Sequence, residues 1–229
     1  MAKHIGIVTV SYEGAALCYQ TICMEAAARM GVHRHPEITM HSFALADYMR
    51  FASELDWEGV AGLLLASAEK VAGAGADFAI CPANTPHEAF RHVEARSPIP
   101  WLHIAEVVAA AARAERCTKL GILGTRLLME GKVYPEVLAK RGLQMEIPAA
   151  PQRERINAII FDELVQGVFK ESTRDYLKGV VADLSRAGCD AAVMACTEIP
   201  LILKQEDVAI PILDSTRLLA RAALDRALQ

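Results

Sequence analysis

The sequence predicts an α/β fold of two similar lobes, each a mainly parallel sheet with helices on both faces. Three observations carry that prediction. Strand-like apolar runs alternate with helical stretches along the whole chain, and no Pro/Gly/Ser-rich linker or low-complexity segment interrupts them. The second half echoes the first: Asp77-Phe-Ala-Ile-Cys-Pro-Ala-Asn-Thr-Pro-His87 shares its plan with Asp190-Ala-Ala-Val-Met-Ala-Cys-Thr-Glu-Ile-Pro200, an acid, a buried strand and then a polar turn. Upstream, Ile5-Gly6-Ile7-Val8 answers Leu120-Gly121-Ile122-Leu123, and downstream Ile99-Pro100-Trp101-Leu102 answers Ile210-Pro211-Ile212-Leu213. The spacing is also kept, since Gly6 to Ala83 spans 77 positions and Gly121 to Cys196 spans 75. With 229 residues, two lobes of ordinary domain size fit, and the echo places them at 1–115 plus 212–229 and at 116–211.

Composition narrows the function classes. A hydrophobic fraction of 53% supports substantial cores, and a net charge of −4 without a Lys/Arg cluster leaves no electrostatic footprint for nucleic acid. No apolar run approaches the roughly 18 residues of a membrane span. Met1-Ala-Lys-His4 passes straight into a strand with no signal-peptide core, so the expectation is a soluble cytoplasmic protein. Six cysteines scattered at 18, 23, 81, 117, 189 and 196, with no Cys-x-x-Cys pair, read as reduced thiols rather than a disulfide framework.

In chain order, His4 to Val10 reads as a strand, followed by Ser11-Tyr12-Glu13-Gly14 and a helix to about Met30. That turn lacks Gly-x-Gly-x-x-Gly and any Gly-Lys-Ser/Thr ending, so it supports neither a dinucleotide nor a P-loop nucleotide. Ser11 is a helix cap or a ligand contact at the strand tip. His33, His35 and His41 flank a strand from Ile38 to Phe43 without a metal-binding spacing, and no metal is expected. Arg50 falls in a loop beyond that strand, where its guanidinium is either solvated or a bidentate clamp on a carboxylate. Leu55 to Ala74 is an amphipathic helix closed by Gly73-Ala-Gly75. At the tip from Cys81 to His87, Asn84 and Thr85 offer an amide, a hydroxyl and backbone N–H groups, either as a helix cap or toward a ligand.

Trp101 to Ile104 is a strand and Glu106 to Arg116 an Ala-rich helix. Lys119 to Leu123 opens the second half and ends at Gly124-Thr125-Arg126. Met129 to Arg141 is helical, with a break or fresh start at Pro135. A strand from Leu143 to Ile147 and a turn from Pro148 to Pro151 lead to helices from Arg153 to Phe169 and Ser172 to Ala187. The strand from Ala191 to Ala195 ends at Cys196 and Thr197, ahead of a helix whose first turn holds Glu198 and Pro200. Cys196 thus stands at a strand's carboxyl end, where open α/β sheets bind ligands and where a helix N-terminus favours thiolate; the alternative is a small buried thiol in the core. Asp214-Ser215-Thr216 caps the closing helix from Arg217 to Leu228, or Asp214 orients a reacting group. Two halves of one design would set the turns at Ala83 and Cys196 facing each other across a cleft.

With these residues in view, the chain resembles the aspartate/glutamate racemase family over nearly its whole length. The likeness rests on Leu123-Gly-Thr-Arg126 with Met129 and Tyr134, Ile156-Asn-Ala-Ile-Ile-Phe-Asp-Glu-Leu164 with Gly167, and above all Ala195-Cys-Thr-Glu-Ile-Pro-Leu201. The first half adds Asn84-Thr85 with His87 and Pro100-Trp-Leu-His-Ile-Ala105. The resemblance implies two flavodoxin-like lobes related by a pseudo-dyad, the last helix packed back onto the first, a small carboxylate held between them and no cofactor. It also implies α-proton abstraction and return by two cysteines, one per face of a planar carbanion, with Asn84, Thr85, Thr125 and Thr197 on the substrate's α-carboxylate.

The sequence departs from that pattern in three places. Ala83 stands where the first cysteine belongs, and Cys81 lies two residues upstream, roughly 6 to 7 Å further back along the strand. Thr9-Val-Ser-Tyr-Glu13 replaces the family's first tip of Gly-Gly-Met-Ser/Gly-Pro, and Leu219 stands where His is common. The expected function is therefore cofactor-independent racemisation or epimerisation of an amino acid of aspartate/glutamate type. Cys196 is its principal acid/base, Ser11 and Arg50 are further substrate contacts, and His87 is a candidate second acid. A one-cysteine decarboxylase of arylmalonate type and a non-catalytic binder of small carboxylates are the alternatives, and a homodimer is expected.

Overall fold

A computed structural model of the chain describes residues 2–229. The chain divides into two compact units, the first made of residues up to Val107 together with Thr216–Gln229 and the second of Val108–Ser215. In the first, β1 (Ile5–Thr9), α1 (Tyr12–Met30), β2 (Ile38–Ser42), α2 (Leu45–Ala52), α3 (Trp57–Gly73) and β3 (Phe78–Ile80) follow one another. A 3-10 turn at Thr85–Ala89, α4 (Phe90–Val93), β4 (Trp101–Leu102) and the start of α5 (Ile104–Ala114) complete that run. The second unit holds β5 (Lys119–Leu123), α6 (Arg126–Met129), α7 (Val133–Lys140), β6 (Gln144–Glu146), α8 (Ala150–Asp162), α9 (Glu171–Arg186), β7 (Ala191–Met194), α10 (Ile199–Ile202) and β8 (Ile212–Asp214). Then α11 (Ser215–Ala227) returns the chain to the first unit.

Each unit is built on a four-stranded parallel sheet, ordered β2-β1-β3-β4 in the first and β6-β5-β7-β8 in the second. The α/β class with two such sheets is therefore the fold. All five residues of β1 and all four of β7 are buried, as central strands covered on both faces must be. The helices supply the cover through apolar stripes at helical spacing: Ala15, Cys18, Ile22 and Ala26 on α1, and Leu177, Val180, Val181 and Leu184 on α9. Asp56 caps α3, accepting from the Gly59 N–H at 2.9 Å.

The paired glycines of the sequence echo have a common physical reason. A Cβ on Gly6 would sit 2.7 Å from Cγ2 of Val71 on α3, and one on Gly121 would sit 2.9 Å from Cδ1 of Leu184 on α9. In both sheets the first central strand gives up a side chain so that the covering helix can press onto its backbone.

The last helix belongs to the first unit's core. Leu219, Ala220, Ala223 and Ala227 cluster with Ile5, Ile7, Cys18 and Ile22, and the Lys3 N–H donates to the Ala227 carbonyl at 2.8 Å. Arg221 forks onto Glu25, and Arg29 pairs with Asp225. Leu219 is fully buried in this hydrocarbon, so its position faces the core.

Four details differ from the sequence reading. The segment expected as a loop around Arg50 is the helix α2, with Tyr48 and Ala52 buried along one side. The helix expected from Met129 to Arg141 is instead the last residue of α6 and, after a break, α7 starting at Val133, just ahead of Pro135, which sits in its first turn where its missing N–H costs nothing. The boundary between the units falls inside α5 rather than after it. Finally, β8 pairs with β7 in parallel, Ala192 against Ile212 through Met194 against Asp214, so residues 212–215 complete the second sheet rather than starting the return to the first lobe. Among the described residues no helix is long and apolar enough to cross a membrane.

At the start of the second sheet, Asp190 gathers the chain. Its carboxylate accepts from the Thr118 N–H and hydroxyl, each at 2.6 Å, and from the Lys119 N–H at 3.1 Å, tying β5 to the residue that opens β7. Burial pushes this carboxyl's pKa up, but the hydrogen bonds from Thr118 and Lys119 together outweigh burial, so the net shift is downward. Asp190→Ala is expected to lower unfolding free energy by about 2 kcal/mol in urea titrations at neutral pH. Because the folded pKa lies below the unfolded one, the stabilisation is present above the usual carboxylate pKa and is lost as pH falls through the folded value. Wild type and variant should therefore converge only in acid, below about pH 4.

Candidate active site

In both sheets the connections leaving the two central strands run to opposite edges, which opens a crevice at their carboxyl ends. In the second unit those strands are β5 and β7, paired from Leu120 against Ala191 to Leu123 against Met194. The Ala195 N–H continues the ladder to the Leu123 carbonyl at 2.7 Å. Beyond the final pair, Thr125 and Cys196 each follow by two residues, so the register alone places them side by side at the mouth. Gly124 makes the approach feasible, since a Cβ there would lie 2.9 Å from the Ala195 carbonyl oxygen and 2.8 Å from Cδ2 of Leu128. Thr125 caps α6, its hydroxyl accepting from the Leu128 N–H at 3.4 Å, and the Arg126 N–H donates to Asn157 Oδ1 at 2.9 Å, which pins α6 to α8.

Cys196 is 8% exposed and borders a cluster that includes Leu123, Met129, Ile156, Ile160 and Ile199. On its polar side its Sγ–H donates to Glu198 Oε2 at 2.8 Å, with Glu198 itself 4% exposed. Burial pushes the thiol well above its ordinary pKa, the Glu198 charge and hydrogen bond push it the same way, and the Thr197 and Glu198 N–H groups oppose them without prevailing. This overturns the expectation of a thiolate stabilised by a helix N-terminus. The following helix, α10, is a single turn of four residues, and a buried anion two residues away outweighs it. Thr197 is buried beside the sulfur.

In the first unit the corresponding tip follows β3. Asn84 is buried and stands at the head of the 3-10 turn without using its side chain as a cap, and Thr85 is half-buried. His87 underpins this tip. Its Nε2 accepts from the Ile104 N–H at 3.3 Å, so Nδ1 carries the proton and donates to the Ala83 carbonyl at 2.9 Å. Burial, then the neighbouring His103, drive its pKa well below the ordinary value. His87 is thus a neutral tie between the tip and α5, with both ring nitrogens engaged by backbone. That geometry argues against the second-acid role. Cys81 is buried, its thiol pushed up to about 12 by burial, with Sγ 3.8 Å from the Ala83 carbonyl. Ser11 heads α1 without making a cap bond, and Arg50 is exposed in the last turn of α2 with its guanidinium 4.5 Å from the Phe51 ring centroid.

The family model for Asp/Glu/hydantoin racemases matches residues 5–223. The chain belongs to the Asp/Glu/hydantoin racemase family. It is accordingly an isomerase of the Asp/Glu racemase type. Its sequence is 24% identical over 170 residues to the broad specificity amino-acid racemase RacX of Bacillus subtilis (strain 168), covering 74% of this chain and 73% of that one. Among solved structures, a candidate Asp/Glu racemase from Yersinia pestis superposes with a TM-score of 0.92 at 31% identity, covering 99% of this chain and all of the other. An aspartate racemase homologue from Pyrococcus horikoshii OT3 gives 0.85 at 28% identity, with both chains covered in full.

Two features of this racemase are not legible in its sequence. The sequence predicts Glu198 in a helix turn, and nothing in a two-residue offset announces that its carboxylate turns back to the sulfur. His87, expected as a candidate second acid, stands four residues from Ala83, an offset that fits a ring closing onto that carbonyl.

Two outcomes follow from the geometry. Gly124→Ala should force the β5 tip away from Ala195, costing about 1 to 3 kcal/mol of stability by thermal or urea unfolding and reducing turnover more than substrate affinity. His87 should make stability pH-dependent. Its folded pKa is depressed, so its contribution is complete above the unfolded value of about 6.5 and is lost as pH falls toward the folded one. Between pH 7 and pH 5 wild type should lose more unfolding free energy than His87→Gln; equal losses would contradict the assignment.

Proposed function

We propose that this racemase acts on an amino acid of aspartate/glutamate type without a cofactor, removing and returning the α-proton with Cys196 as principal acid/base. The observation that carries the reading is the thiol at the carboxyl end of β7, beside the β5 tip and hydrogen-bonded to a buried carboxylate. An α-proton next to a carboxylate is a very weak acid, so the group that takes it must be a strong base, and a sulfur whose pKa is raised becomes one once its own proton leaves. Thr125 and Thr197 stand next to that sulfur with hydroxyls and N–H groups suited to the charge that develops on the substrate carboxylate. Asn84 and Thr85 at the first unit's tip, together with Ser11 and Arg50, are the further substrate-binding residues of this proposal. The amino-acid substrate is supported by the name of the Bacillus relative, and the acidic side chain by that of the Pyrococcus one. The expected homodimer belongs to this proposal, and sedimentation should give twice the chain mass.

A second reading is favoured by one observation, the absence of a proton carrier at Ala83 together with the engagement of His87 and the burial of Cys81. A site that protonates from one face suits a decarboxylase of arylmalonate type, in which a malonate loses carbon dioxide and Cys196 protonates the enediolate.

Incubation with a panel of L- and D-amino acids in deuterated water, followed by NMR and chiral chromatography, separates the readings. Wild type should exchange the α-hydrogen and lose optical purity, and Cys196→Ser should slow both at least about 100-fold. Exchange with full retention of configuration would overturn racemisation, and carbon dioxide released from a malonate would establish the second reading. Ligand binding without turnover, unchanged in Cys196→Ala, would leave a carboxylate binder.

A further inference from the structure

We infer that the outward face of α1 is a docking surface for α1 of a second copy of this chain, the two helices packing antiparallel with Gln20 at the two-fold axis. The inference deepens the homodimer of the proposed function by giving its surface, and it is independent of the reaction. The helix turns Ala15, Cys18, Ile22 and Ala26 inward. Its opposite side is apolar too: Tyr12 is 71% exposed and Met24 69%, with Ala16 exposed and Leu17, Cys23 and Ala27 half-buried beside them. Residues 12, 16, 20, 23 and 27 follow one another at helical spacing, and 17 and 24 run alongside. A solvent-facing helix ordinarily charges this side. Of the three charged residues in α1, however, Glu25 is engaged by Arg221 and Arg29 by Asp225, both on α11, which leaves Glu13. A helix that is apolar on both sides is built to be covered on both.

The face is complementary to itself, which identifies the occupant. Gln20 stands exposed at the middle of the row, and its amide both donates and accepts, so two copies meeting across a two-fold axis satisfy each other. About that axis Ala16 meets the partner's Cys23 and Leu17 meets the partner's Met24, and each contact is made twice. The small pair lets the helix axes come close, while the larger pair fills the flank, and Tyr12 closes over the partner's Ala27. Glu13 arrives one turn from the end of the partner's α1. There the Arg34 side chain lies 3.9 Å from where a Cβ on Gly31 would sit, so an acid at one end of the face meets a base beyond the other. The antiparallel arrangement also opposes the two helix dipoles. A lipid surface suits the face poorly, because interfacial helices border their apolar side with basic residues and the one basic residue of α1 is already paired.

The test is sedimentation equilibrium of the full chain as wild type, Ala16→Glu, Met24→Lys and Phe169→Lys. Ala16 and Met24 are exposed within the chain, so a charge at either leaves the fold intact, which circular dichroism checks, yet would be buried in the dimer. Each should weaken association at least about 100-fold. Phe169 is an equally conspicuous apolar residue of the second unit, 50% exposed, and Phe169→Lys should associate as wild type does. The direction of packing is read from Ala16→Cys under mild oxidation. Its new thiol should form an intermolecular disulfide to the native Cys23, identified by peptide mass, which a parallel pair could not make. A dimer that survives both Ala16→Glu and Met24→Lys, one lost in Phe169→Lys, or a dimeric Ala16→Cys protein without the link to Cys23 would overturn the inference while leaving a homodimer standing. A monomeric wild type would overturn the surface and the homodimer together. The deuterium exchange of wild type judges racemisation separately, so the two readings fail independently.

Discussion

The register between β5 and β7 fixes where every reactive atom of the second unit ends up. Parallel pairing leaves Leu123 opposite Met194, and two further residues on each strand put Thr125 and Cys196 at one mouth without any contribution from loop geometry. Gly124 then lets the two tips touch, and the Ser215 hydroxyl holds the Met194 carbonyl at 2.9 Å from the other side. A shift of one residue would turn the sulfur to the opposite face of the sheet, so the chemistry is protected by the same ladder that protects the fold. In the first unit, pairing of β1 with β3 does the same for the tip that carries Asn84 and Thr85.

The two tips differ in their electrostatics. In the second unit a thiol and a carboxylate share a dry setting, where an exposed pair would be screened and weak. Around the first unit's tip the titratable side chains are driven neutral: burial raises Cys81 and Tyr48 and lowers His87. His87 contributes mechanical order instead, since its ring joins the turn after β3 to the first turn of α5.

Legibility in the sequence followed the range of the interactions. The alternation of elements and the echo between halves depend on local periodicity and on burial of central strands, so the parallel sheets and the seat of Cys196 could be read directly. Asn84, Thr85, Thr125 and Thr197 were legible as hydroxyl and amide groups at strand ends. What stayed hidden is what side chains do with each other: an acid two residues past a cysteine can cap a helix or bond the sulfur, and only the fold decides. Arg50 illustrates a local failure, because Leu45–Ala52 is amphipathic over barely two turns and too short to outweigh a loop reading. The echo that matches Ile210-Pro211-Ile212-Leu213 to the end of the first sheet carries the right seat for β8, and the return of the chain to the first unit begins only with α11.

The discontinuity of the first unit also bears on how the molecule is made. Residues 108–215 form a continuous stretch, so the β6-β5-β7-β8 sheet has all its strands as soon as that stretch has left the ribosome. The first unit, begun earlier, must wait, because four α11 residues belong to the cluster that covers β1 and α1. Until they are translated, Ile7, Cys18 and Ile22 lack part of their hydrocarbon cover. The half that starts first is completed second, and a growing chain carries an unsealed apolar face throughout the intervening synthesis.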